Sequence, residues 1–169
     1  PYLADQSQIA DFMIEHLDLD AREEKKLKIL YRASGIKQRY SVLRDFSERL
    51  NGQSFFKEDA AFPTAKPRML IYEKQAINLA KEACEKAIST SHVEASEITH
   101  LIAVSCTGMY APGLDIELIE QLNLPTSTQR TSINFMGCYA AFNAIKTANQ
   151  IVSADSDAKV LVVCVELCS

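Results

Sequence analysis

The chain has 169 residues, 47% of them apolar, which suffices to bury a core and fits the length of one domain. Its formal net charge of −4 is mild and argues against a general nucleic-acid binder. No apolar run reaches the roughly 18 residues of a membrane span, and no secretory signal opens the chain. The five cysteines form no C-x-x-C pair and meet no histidine cluster, which argues against a metal site and for a reduced, cytoplasmic setting.

In chain order, Gln6–Leu17 has helical periodicity, with Ile9, Phe12, Met13 and Leu17 on one stripe. Asp20–Arg32 predicts a second, charged helix packing Leu27, Leu30 and Tyr31 inward, stopped by Ser34-Gly35. Ile36–Leu43 reads as extended, and Asn51–Pro67, punctuated by Gly52, Pro63 and Pro67, reads as loop. Arg68–Thr90 repeats apolar residues at helical spacing, through Ile71, Ala76, Leu79, Ala80, Ala83, Cys84, Ala87 and Ile88. A buried strand follows from His100 to Ser105, then a loop marked by Thr107-Gly108 and Pro112-Gly113, then a helix over Leu114–Leu122. A further apolar strand is expected to end at Ile133, Phe135 and Met136, a helix to run from Tyr139 to Val152, and a last strand to occupy Lys159–Leu167. Alternating strands and helices of this kind predict an α/β fold with a mostly parallel sheet, whose functional residues collect at the carboxyl ends of strands. The helix after Cys138 is apolar on most sides, which predicts that it is buried on most sides. The chain opens at Pro1 and stops just after an apolar strand, so the sequence reads as a fragment of a longer protein, one subdomain over residues 1–169.

One cysteine stands apart by context. Gly137 permits a tight turn between strand and helix, and Cys138 then falls beside the helix N-terminus, where free N–H groups and the dipole favour a thiolate. A thiolate in that position attacks carbonyls, with thioesters as natural targets. Cys84 and Cys164 lie among apolar neighbours and are expected in the core, while Cys106 and Cys168 lie near strand ends without a glycine turn. His16, His92 and His100 read as structural or solvated, so any base for Cys138 is expected from outside the chain. From Glu24 to Arg49 eight basic residues face three acidic ones, which reads either as a solvated face or as a cradle for the phosphates of an acyl carrier. Neither a P-loop nor a Gly-x-Gly-x-x-Gly motif is present.

Four blocks, in order, carry a family likeness: Gly35-Ile-Lys-Gln-Arg-Tyr40; Ile98–Ile102 running into Cys106-Thr-Gly-Met-Tyr-Ala-Pro-Gly-Leu-Asp115; Met136-Gly-Cys-Tyr-Ala-Ala141; and Lys159–Glu166. With them the chain resembles the amino-terminal half of type III polyketide synthases, the chalcone and stilbene synthase family, whose fold is of the thiolase type. The resemblance implies that Cys138 is the acyl-accepting nucleophile and that Lys26 meets the phosphates of coenzyme A. Two further basic positions of that family site correspond to Ile29 and Ala33, for which Lys28 and Arg32 are the available substitutes. It also implies that Cys106, Thr107 and Ala111 line the substrate pocket and subunit interface, Ala111 replacing the larger Met of plant enzymes. The implied chemistry needs no cofactor. The resemblance further implies acyl-CoA and malonyl-CoA as substrates, a homodimer, and a first strand and a carboxy-terminal half, with its catalytic His and Asn, that lie outside this chain. Two other readings stay open: a ketoacyl synthase III-like initiator of fatty-acid synthesis, and a non-catalytic dimerisation or scaffold module.

Overall fold

The computed structural model describes residues 1–47, 55–56 and 62–168. These residues fall into two compact units, one built mainly from Pro1–Ala65 and one from Lys66–Leu167.

In the first unit, β1 (Tyr2–Asp5) pairs antiparallel with β2 (Gln38–Ser41), Tyr2 opposite Ser41 and Asp5 opposite Gln38. Helix α1 (Gln6–His16) follows β1 directly, and the Gln8 side chain accepts a 2.9 Å bond from the Asp5 N–H. Helix α2 (Ala21–Ala33) starts at a capping box. The Asp20 carboxylate accepts from the N–H groups of Arg22 and Glu23 at 2.7 and 2.8 Å, and Glu23 reaches back to the Asp20 N–H at 3.0 Å. Ile9, Ala10, Leu43 and Phe56 are buried, and the Phe12, Phe46 and Phe56 rings meet edge to face or tilted. Contrary to the inward packing expected of α2, it has no fully buried side chain: Leu27 and Tyr31 are half-buried and Leu30 is exposed. The expected Asn51–Pro67 loop lies largely outside the described residues.

In the second unit, α3 (Ala65–Ser91) begins before Pro67, whose missing N–H falls in the first turn, where no intrahelical partner exists. A short 3₁₀ turn, Ala95–Glu97, leads into β3 (His100–Ser105). Then come α4 (Leu114–Gln121), β4 (Gln129–Asn134), α5 (Ala140–Ala154) and β5 (Val160–Cys164). The three strands are parallel in the order β4-β3-β5. Because side chains alternate along a strand, Leu101 and Ala103 of β3 face α3 and α4, joined by Leu161 and Val163. Ile102 and Val104 face the other way, onto Ala140 and Ala144 of α5. The central strand is therefore apolar from Leu101 to Val104, and Leu101, Ile102 and Leu118 are among the most deeply buried side chains.

Two expectations about this unit are corrected. The strand before Cys138 is not a buried apolar strand: β4 is an edge, its residues mostly exposed, and Phe135 and Met136 lie past its end. The helix after Cys138 is buried on one face only. Ala140 and Ala144 pack on the sheet, while Phe142 is 73% and Ile145 60% exposed. Small residues make the packed face and large apolar ones the open face, so sequence polarity alone does not distinguish the two.

Candidate functional site

The strands of the parallel sheet finish level at their carboxyl ends. Ser105 pairs with Asn134, Val104 pairs with Cys164, and the Val165 N–H donates to the Val104 carbonyl at 3.0 Å. Three segments therefore emerge at one edge: Cys106-Thr107 after β3, Phe135–Cys138 after β4, and Val165–Leu167 after β5.

Glu166 joins the segments after β3 and β5. Its carboxylate accepts from the Cys106 N–H at 2.8 and 3.0 Å, from the Thr107 N–H at 2.9 Å and from the Thr107 hydroxyl at 2.6 Å. The Thr107 hydroxyl in turn accepts from the Leu167 N–H at 2.9 Å. Cys106 then reaches the segment after β4. The Gly137 N–H donates to Cys106 Sγ at 3.2 Å, and the Cys106 thiol lies 3.5 Å from the Gly137 carbonyl as a donor.

The turn that carries Cys138 is sharp. Phe135 and Gly137 both have left-handed backbones, φ +56° and +84°, and the Ala140 N–H closes the turn on the Gly137 carbonyl at 3.1 Å. A left-handed conformation is rare for a bulky side chain, so Phe135 is a strained point in the backbone. Cys138 is an exposed free thiol, with Tyr139 as the N-cap of α5. No side chain caps that helix and no acidic residue stands in its first turn, so its own side chains do not offset the positive end. This arrangement presents a thiol at a helix start, open to a carbonyl substrate.

The other predicted residues separate. Ala111 is exposed and precedes a cis bond to Pro112, in the loop between β3 and α4. Beside that loop lies a cavity of about 190 Å³ lined by Tyr72, Ser105, Tyr110 and Asn134 among others, but not by Cys138. The Tyr72 hydroxyl donates to Ser105 Oγ at 2.6 Å, and burial pushes its pKa up. Tyr110 is pushed up by burial and by its bond to Glu117. Lys26 lies in the other unit, exposed on α2, as do Lys28 and Arg32. Cys84 is in the core as expected, its thiol pushed up to about 11 by burial and then by Glu85. Cys164, expected in the core, is exposed at the end of β5, its thiol raised by partial burial and by Glu166. Cys168 lies beyond β5 and is exposed.

The histidines are engaged elsewhere. His16 stacks on Phe12, ring centroids 3.9 Å apart, and bonds the Phe12 carbonyl at 2.9 Å. His100 meets Thr99 at the amino end of β3, opposite the Cys106 edge, and His92 lies in the turn after α3. Among the described residues no group of three or more His, Cys, Asp or Glu is placed to hold a metal ion, and no helix is long and apolar enough to cross a membrane. Glu166 is the functional candidate that sequence reasoning missed. A carboxylate placed directly after an apolar strand, level with unpaired N–H groups of its neighbour, was the available signal.

The parallel sheet sandwiched between helices, with a cysteine on the turn from strand to helix, defines a thiolase-like α/β domain. Residues 2–169 match the model of the family described as chalcone and stilbene synthases, N-terminal domain, and the chain belongs to that family. It is 34% identical over 167 residues to the alpha-pyrone synthesis polyketide synthase-like Pks18 of Mycobacterium tuberculosis, covering 99% of this chain and 41% of that protein. Its fold is similar to the C-terminal type III polyketide synthase domain of Steely1 from Dictyostelium, with TM-score 0.85, 28% identity, and 99% and 45% of the two chains covered. CsyB, solved in complex with CoA-SH, gives TM-score 0.83 at 25% identity, covering 99% of this chain and 43% of that one. The chain thus spans about two-fifths of the length of the relatives it matches.

Proposed function

We propose that this chain supplies the acyl-accepting cysteine of a type III polyketide synthase, and that Cys138 is that residue. The observation that carries the reading is the exposed Cys138 on a strained turn at an uncapped helix start, within a chain of this family. The Cys138 thiolate attacks the carbonyl of an acyl-CoA, and collapse of the tetrahedral adduct expels the CoA thiolate, leaving the acyl group on sulfur. Malonyl-CoA then loses CO₂. The electron pair of the broken bond forms an enolate, which attacks the Cys138-bound carbonyl, so that a C–C bond forms as the Cys138 thiolate leaves.

Lys26, with Lys28 and Arg32 on the same helix, is the proposed contact for the CoA phosphates, since Ile29 and Ala33 carry no charge. Support comes from the exposure of all three basic side chains and from the CoA bound to the similar CsyB. Thr107 and Ala111, with Cys106, are proposed to line the substrate pocket of a homodimer. The free thiols suit a reducing, cytoplasmic setting.

The test is covalent. Incubated with acyl-CoA, the protein carrying this chain should gain one acyl group on the Cys138 peptide, read by mass spectrometry, and should release CoA and CO₂ from malonyl-CoA. Cys138→Ala should abolish acylation there and lower condensation by more than about 10³-fold. Unchanged acylation in that variant would sink the reading. A Cys138 no more reactive toward iodoacetamide than a free thiol would favour a structural module instead.

A further inference from the structure

We propose that Cys106 is a positioning residue for Cys138, holding the turn by its Gly137 backbone, and that Glu166 fixes Cys106 in turn. The inference rests on the reading of Cys138 as acyl acceptor. It begins with the strain in the turn, where two left-handed residues flank Met136. Conformations of this kind persist only where the surroundings over-determine them. Two interactions do so at Gly137: its carbonyl receives the Ala140 N–H at 3.1 Å, and its N–H donates to Cys106 Sγ at 3.2 Å. A thiol is both a weak donor and a weak acceptor, so one sulfur can serve the N–H and the carbonyl of the same residue. The longer 3.5 Å approach to the Gly137 carbonyl fits the donor half of that role.

The sulfur needs a fixed origin. Cys106 follows the last residue of β3, where the ladder has ended, and its main chain is held by the Glu166 carboxylate through the N–H groups of Cys106 and Thr107 and the Thr107 hydroxyl. Charge-assisted bonds of that length are the stronger class, and they tie the end of β3 to the segment after β5. Below them, the side chain of Cys106 packs at the rim of the Ile102, Val104, Ala140 and Ala144 cluster that seats α5. The path from Glu166 through Cys106 to Gly137 therefore ends one bond from the residue that must meet the substrate carbonyl. Displacing a reacting atom by about 1 Å can cost on the order of 10²-fold in rate.

The rate of Cys138 acylation by acyl-CoA separates this role from simple packing. Cys106→Ala should lower that rate about tenfold at saturating acyl-CoA, because orientation of the thiol is lost. Cys106→Ser restores a group that both donates and accepts, and should recover to within about threefold of the unaltered chain. Glu166→Gln, nearly isosteric, should lower the rate in the same direction, and adding it to Cys106→Ala should cost less than the product of the single effects. Thermal unfolding of each variant accompanies the rates, and Glu166→Gln carries the test if Cys106→Ala does not fold. A folded Cys106→Ala chain that acylates at the unaltered rate, or Ser performing no better than Ala, would overturn the inference alone. Absence of Cys138 acylation in the unaltered chain would overturn the proposed function, and this inference with it.

Discussion

Two glycines at the carboxyl edge of the sheet are needed for different reasons, and the difference is measurable. A Cβ on Gly137 would meet nothing within 4 Å, so only its φ of +84° resists substitution. Gly137→Ala should therefore cost about 1–2 kcal/mol, the usual penalty of a left-handed residue that bears a Cβ. Gly108 is the reverse case, with no positive φ but a Cβ that would sit 2.2–2.4 Å from the Tyr72 ring. That ring cannot swing aside freely, because Tyr72 is buried and its hydroxyl is anchored on Ser105 at 2.6 Å. Gly108→Ala should cost about 1–3 kcal/mol by overpacking. Urea unfolding of both variants with and without Tyr72→Ala decides the matter: the Gly108 penalty should shrink beside the truncated ring and the Gly137 penalty should not. Only the first requirement is visible in sequence. Gly137 sits between apolar residues and a helical period, whereas the partner of Gly108 lies on α3, far upstream in the chain.

Elements with a local signal are legible in the sequence. The strand His100–Ser105 has the expected bounds, and the helix after Gly113 ends within a residue of its expected limit. Elements whose existence depends on a distant partner are not. Strand β1 has four residues and forms only because β2 pairs with it across more than thirty positions. Helix α5 is legible as a helix, but the burial of its faces is not, since Ala140 and Ala144 carry less apolar surface than Phe142 and Ile145, which face outward. The two faces should respond oppositely to substitution. Ala144→Leu, at a site with no exposure against Ile102 and Val104, should destabilise the chain by about 1–3 kcal/mol. Phe142→Glu with Ile145→Lys should change unfolding free energy by no more than about 0.5 kcal/mol. The same pair should also reduce binding of a hydrophobic dye, because it removes two of the exposed large apolar side chains of α5. Unfolding on Phe142→Glu would mean that this face is not open.

At the scale of the whole chain, the parts needed for acyl transfer and those needed for elongation separate. Attack on a thioester asks for an accessible thiol and a leaving group that departs as a thiolate, which on the proposed reading are Cys138 and the CoA of an acyl-CoA. Condensation asks more, since an enolate must be generated and an oxyanion stabilised beside the acyl-cysteine. The described residues put no histidine there. His100 is at the far end of β3, six strand residues of about 3.3 Å rise from the Cys106 edge, and His16 is stacked on Phe12. These 169 residues alone should therefore accept an acyl group and stop. Mixed with acyl-CoA, they should release close to one equivalent of CoA per chain, all of it lost in Cys138→Ala, and malonyl-CoA should yield no extended product by chromatography. A longer protein containing the same chain should pass the single equivalent and accumulate product. Repeated turnover by the 169 residues would show that this chain holds a base its histidines do not supply.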